Sequence, residues 1–410
     1  MHRVTLFIIV ALVIAAVPAG SQASEFKITP SLTVSEEYND NIFLYPKKQV
    51  TDYVTHIIPG IRVLYLAPYW DWDIKYKYEH RYYANKTVTG DNPRDLDLTG
   101  NVRLIKDVLF FDVKDIYNRI SLSPVRDYTQ VSPRVNQTDQ NILTLNPYIV
   151  LHPTTRIELK PGYQYRTFWY QDPTAIDKIV YTAYLDIKNE LSQRLDLMAT
   201  IRHEDTDTKN IDFTQNYFLI GPRYEYQEKS VAWFRVGVSK FTPDARDQEP
   251  RPIWDAGVIH KLPTITLSYE TGRTWLDDPF FILRREDRYI AGIRKEVERT
   301  SIGVTAGYRE YGIDNNVDER RYTTTASFSH YLLEKLQGSY ALSIDGYYRF
   351  PRRAENTTTI AYWTDVRFDY HAQEAISYWI NYQYIDSYSP DIYTDNYNTN
   401  RVTIGITASF

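Results

Sequence analysis

The side chains best placed to do chemistry are charged and aromatic residues that recur at every second position of short segments. Among them are Arg62, Arg166, Arg202, Arg223, Arg235, Arg294, Arg309 and Arg367, in company with Tyr217, Trp233, Trp363 and Trp379. A guanidinium donates in a fixed fork, and a flat ring packs against the C–H face of a sugar. A wet surface carrying both would hold and pass a polyhydroxylated polymer. Packing of the four rings beneath an infolded loop is an equal reading. Lys75, Glu79, Arg103, Lys160, Glu225, Glu270, Arg321, Asp365 and Asp369 fall on the same alternate positions. With both signs present, most of these charges are expected to pair with one another and keep the surface hydrated.

Covalent and metal chemistry find less support. The chain has no cysteine, which removes disulfides, Cys-ligated zinc and covalently attached c-type haem. Of the eight histidines, His80 lies among tyrosines, His203 adjoins Glu204 and Asp205, and His330 follows Ser327 and Ser329. A hydrolase needs Ser or Asp within hydrogen-bond reach of such a histidine, and none of them sits in a recognisable motif. The expectation is a protein that is not an enzyme and takes no cofactor and no metal. Asp314, Asn316 and Asp318 match the first half of a calcium loop, but its glycine and closing glutamate are missing. A net charge of -5 without a basic stripe gives no footing to nucleic acid.

The elements that would position these residues are strands. In residues 26–34, Phe26, Ile28, Pro30, Leu32 and Val34 alternate with Lys27, Thr29, Ser31 and Thr33. In residues 72–79, four aromatic or aliphatic residues interleave with four charged ones, a period of two that no helix face can use. The rhythm continues to the last ten residues, where Val402, Ile404, Ile406, Ala408 and Phe410 alternate with Arg401, Thr403, Gly405, Thr407 and Ser409. Short connections alternate with long ones rich in Asp, Asn, Pro and Tyr, including residues 121–140, 271–287, 350–357 and 386–400.

Residues 1–23 read as a secretory signal peptide, with Arg3, an apolar core over residues 4–17 and a small-x-small cleavage site at Ser21-Gln22-Ala23. An exported chain without disulfides needs another clamp, and a closed hydrogen-bond ladder supplies one. A mean hydropathy of -0.46 is compatible with a membrane barrel, because only every second strand residue need be apolar. The predicted fold is all-β: residues 24–410 as a single transmembrane up-and-down antiparallel β-barrel of about twenty strands, with eighteen the nearest alternative. The hairpins in residues 97–117 and 182–201 are the weakest. Short turns would face the periplasm and long loops the exterior. Tyr65, Tyr163, Tyr165, Tyr226, Tyr269, Tyr308, Tyr370 and Tyr384 would form interfacial girdles. A large soluble two-sheet protein would also alternate, but it leaves the terminal Phe and the long-short rhythm unexplained.

Two resemblances sharpen this. Thr403 to Phe410, with Gly405 and terminal Phe410, resembles the assembly signal of bacterial outer-membrane barrels, and Ala408 departs from it where an aromatic is usual. The resemblance implies the bacterial outer membrane as location, with its lipid, lipopolysaccharide and barrel-assembly machinery as partners. The run from Ile28 through Glu36, Tyr38, Asp40 and Asn41 to Phe43 resembles the opening of an outer-membrane β-barrel porin family associated with exopolysaccharide loci and PEP-CTERM sorting systems. That implies a channel for extracellular polysaccharide, with a periplasmic polysaccharide-export subunit as a possible partner. Asp40 and Asn41 themselves read as strand terminators. The alternatives are a general or substrate-specific porin for small solutes and a scaffold barrel sheathing an electron-transfer haem protein.

Overall fold

A computed structural model describes residues 24–122, 137–209, 212–243, 249–276, 284–313, 316–350 and 356–410. Residues 1–23, expected from the sequence to be a signal peptide, the loop at residues 123–136 and Asp314 lie outside the described residues. The strands are β1 (Glu25–Asn39), β2 (Asp52–Leu66), β3 (Trp70–Tyr78), β4 (His80–Tyr83), β5 (Arg94–Ile105), β6 (Leu109–Ser121), β7 (Gln137–Ile149), β8 (Leu151–Thr154), β9 (Ile157–Tyr170), β10 (Lys178–Ser192) and β11 (Leu195–Thr208). They continue as β12 (Phe213–Gln227), β13 (Ser230–Pro243), β14 (Arg251–Lys261), β15 (Ile265–Leu276), β16 (Arg284–Val297), β17 (Thr300–Ile313), β18 (Asn316–Leu333), β19 (Leu336–Arg349), β20 (Thr357–Gln373), β21 (Ile376–Tyr388) and β22 (Tyr397–Ser409).

Every pairing between them is antiparallel, and apart from the β1–β22 seam and the pairs that bracket the short β4 and β8, each joins strands consecutive in the chain. β4 continues β3 after a break at Glu79, since both pair with β2. β8 pairs only with β9, beside a turn. Setting these two fragments aside, twenty strands close the barrel, and both hairpins read as weakest in the sequence are formed. Closure runs between β1 and β22, from Ser31 opposite Ser409 to Asn39 opposite Arg401. The amide of Phe410 then donates to the carbonyl of Pro30 at 2.9 Å, so the terminal aromatic is pinned to the first strand. In hydrocarbon an unpaired backbone group costs several kcal/mol, and this seam removes the two edges that would otherwise carry such groups.

Parity sorts the side chains. Phe26, Ile28, Leu32 and Val34 of β1 are exposed, and the register sets Val34 against Ile57 and Ile406, themselves exposed. The same face carries Ile201, Phe218, Val236 and Val238, then Ile293 and Val304, in a band around the wall. Exposed aliphatic and aromatic residues on most strands, at alternate positions of a closed sheet, form the belt of a protein whose outside is lipid. All eight girdle tyrosines lie on this outer face. The chain is thus an outer-membrane type barrel placed in the outer membrane of a bacterial envelope.

The first long loop, residues 40–51, does not stand out in solvent. Ile42 and Phe43 pack with Val54, Tyr83 and Val88, while Leu44 packs with Ala361, Ile385, Tyr397 and Trp363. Apart from Val88, which lies in the loop after β4, those partners face inward on β2, β4 and β20 to β22, so the loop folds into the mouth.

Candidate functional site: the barrel lumen

Because successive strand residues point to opposite faces, fixing the outer face fixes the inner one. The register places Arg62, Arg166, Arg202, Arg223, Arg235, Arg294, Arg309 and Arg367 on the lumenal face with Tyr217, Trp233, Trp363 and Trp379. Gly405 is also lumenal, whereas Ala408 faces lipid opposite Leu32.

Ion pairs hold most of the lumenal arginines. Arg62 grips Asp73 in a two-pronged bond at 2.8 and 2.9 Å, and Lys75 joins Asp73 to Asp97 at 3.4 and 3.7 Å. Arg103 is held at the periplasmic turn by Asp71 and by the carbonyls of Ala67 and Pro68, both at 3.1 Å. Arg166 meets Glu204 at 3.6 Å and Arg223 meets Asp196 at 3.6 Å. Asp255 receives Arg235 at 2.5 Å and Arg288 at 3.6 Å, and Arg309 meets Glu286 at 3.4 Å. Arg294 pairs with Glu296 at 3.8 Å, both exposed near a turn. Arg202 is different. Its guanidinium lies 5.8 Å from the ring of Tyr184 and 5.3 Å from that of Tyr217, with no carboxylate bonded to it among the described residues.

The four aromatic residues divide. Trp233 and Trp379 lie across the strand from Gly257 and Gly405, and each ring occupies the space where a side chain would otherwise stand. Trp379 carries Arg367 over its ring at 4.7 Å, and Arg367 is itself fixed by Asp369 at 2.7 Å. Trp363 packs under Leu44, the infolded-loop arrangement weighed from sequence. Trp233 is left with no cation over it among the described residues, and Tyr217 shares Arg202 with Tyr184.

Sequence reasoning missed a network at the external mouth. His56 sits between Glu79, 2.6 Å from its Nδ1, and Glu37, 3.4 Å from its Nε2. Glu79 binds Arg81, which reaches Asp91 at 2.8 Å, and Asp91 is also held by Arg119 and by the hydroxyl of Tyr83 at 2.7 Å. Burial alone would push the Asp91 carboxyl up, but Arg81 and Arg119 outweigh it and hold it below the ordinary carboxylate range. Asp91 lies in the loop after β4, and nothing in its local spacing announces that two strands converge on it. Asn41, read as a strand terminator, is fully buried: its amide donates to the carbonyls of Tyr45 and Asn398 at 2.9 and 2.8 Å, and its Oδ1 accepts the amide of Tyr45.

The three histidines weighed for hydrolysis stand on the outer face. His80 meets Asn92, His203 meets Asn216, and His330 meets Thr300 at 2.8 Å while Ser327 and Ser329 point into the lumen.

No family model matches the chain, and no curated protein sequence matches it. Solved structures do. The chain is similar to the FrpB iron transporter of Neisseria meningitidis (F3-3 variant) at 8% identity and TM-score 0.50, over 93% of this chain and 82% of that one. It is also similar to a variant of the ferric enterobactin receptor of Pseudomonas aeruginosa in complex with enterobactin, at 9% identity and TM-score 0.52, over 95% and 82%. At such identity the likeness is one of barrel architecture.

Proposed function

We propose that this chain is an outer-membrane channel for hydrophilic solutes, and that its cargo is an extracellular polysaccharide. The observation that carries the channel is the lining: arginines and carboxylates from every part of the wall pair across neighbouring strands and leave a continuous polar inner surface. A twenty-strand barrel is wider than its own inward side chains can fill, so such a surface encloses water. The polysaccharide reading rests on Tyr217, a ring beside the Arg202 cation that has no carboxylate partner among the described residues, and on the lumenal ring of Trp233, together with the family resemblance of residues 28–43. The iron-chelate cargo named for the structural neighbours does not travel with a fold shared at 8 to 9% identity.

Two measurements test the two parts. Purified protein in a planar bilayer should conduct KCl in discrete, long-lived steps, and a silent bilayer removes the channel. Deleting the gene should lower secreted polymer, with Trp233→Ala and Tyr217→Ala giving partial loss. Normal secretion with intact conductance would leave a porin for small solutes, which infolding of residues 40–51 into the mouth also suits.

A further inference from the structure

One carboxyl stands where the channel has no use for it. Asp115 is on the outer face of β6, between Val113 and Tyr117, and its neighbours across the ladder are Leu98 and Leu143. It lies eight residues from Asp107 in the periplasmic turn, level with the exposed aliphatic band. The other outward carboxylates of the described residues, such as Glu36, Asp205, Glu310 and Asp386, lie near the external strand ends. One oxygen of Asp115 accepts the amide of Asn141 at 2.7 Å, and Asn141 also donates to the carbonyl of Ile116. The second carboxyl oxygen has no partner among the described residues. A polar group of this kind in hydrocarbon is costly, and it calls for a hydrogen-bond donor from a neighbouring membrane protein.

The donor must sit at the same depth. A second copy of this chain, related by a two-fold axis along the membrane normal, meets that condition automatically, because equal residues of the two copies then share one level. Strand tilt sets the match two strands away. Tyr163 of β9 is outward and half exposed, and it lies eight residues from Thr155 in its own turn, as Asp115 does from Asp107. Leu145 of β7, paired with Val113 on one side and Tyr165 on the other, lies between them.

We propose that the β6–β7–β9 wall is a self-association surface. The Tyr163 hydroxyl of each copy donates to Asp115 of the other, with Leu145 against Leu145 at the axis. The patch is self-complementary in hydrogen bonding, which is the requirement of an isologous contact.

The absence of cysteine makes the test clean. Leu145→Cys in native membranes should give a disulfide-linked dimer under mild oxidant, while Val304→Cys on the far wall should not. Adding Tyr163→Phe, which keeps the ring and removes both cross-copy bonds, should weaken dimer formation at least about tenfold. Native mass spectrometry of the uncrosslinked protein should show a dimer that Asp115→Leu converts to monomer with folded barrel retained on gels. Equal crosslinking at both cysteine sites, a dimer indifferent to Tyr163→Phe, a monomer throughout, or capture of a different protein at position 145 would each overturn the proposal.

Discussion

A methyl group placed on Gly405 would stand 2.6 Å from the ring of Trp379 and 2.8 Å from Cβ of Ser35, distances that real carbon atoms do not keep. Gly405 therefore has a packing reason for its identity beyond any part in an assembly signal. The indole fills the missing side chain, and its outer side is covered by Arg367. Gly257 and Trp233 repeat the device on another wall. Gly405→Val should force Trp379 off its seat and lower stability by about 1 to 3 kcal/mol, the usual range for overpacking. Urea unfolding followed by tryptophan fluorescence reads both effects, and Ala408→Phe, facing lipid opposite Leu32, is the control expected to leave the midpoint in place. An unchanged midpoint for Gly405→Val would show that the ring has another resting place. The glycine was visible in the sequence, but its partner was not, because Trp379 comes from the preceding strand and the pairing is set by register.

Strands were legible and loops were not, for one physical cause. A residue between lipid and water has its environment fixed by parity, so a period of two written into residues 26–34 or 402–410 states both the element and its face. That is how the lumenal arginines could be named in advance. The same pattern also contains Asp115, an acid in the outward row between Val113 and Tyr117, which the apolar residues around it mask. Residues 40–51 carry no period: Asn41 is tied to Asn398 and Leu44 to Ala361 and Ile385, contacts more than three hundred residues away in sequence. The external loop at residues 84–93 is anchored in like manner through Asp91. Its carboxyl titrates below the value it would have unfolded, so the stabilisation is fully present above the unfolded value of about 3.9 and is lost as pH falls through the folded one. Acidification below about pH 4 should therefore release this loop before the barrel itself opens. Limited acid proteolysis at residues 84–93 checks it, with Asp91→Asn expected to be cleaved already at neutral pH. Parallel cleavage of both proteins at every pH would show that Asp91 anchors nothing.

At the scale of the whole molecule, the barrel separates a wall that must be apolar from a lining that must be wet, and it keeps the lining nearly neutral by pairing charge with charge. A lumen of matched ions exerts little net field on a passing ion, so the intact channel should show weak ionic selectivity and conductance that follows bulk salt. The balance is concentrated at particular carboxylates. Asp255 compensates both Arg235 and Arg288, and among the described residues the other carboxylate paired with Arg288 is Glu286 at 4.0 Å, which Arg309 also engages. Asp255→Asn keeps the volume and removes the charge, leaving guanidinium groups from β13 and β16 uncompensated on one side of the passage. The reversal potential in a KCl gradient should then move toward the chloride equilibrium value, and the shift should shrink as salt rises and screening shortens. A variant in which Arg235→Ala is added should move back toward the parent, because the excess positive charge is reduced. If Asp255→Asn leaves the reversal potential where it was at low salt, the Arg235 and Arg288 side of the wall is not on the conduction path, and permeant ions must keep to other strands.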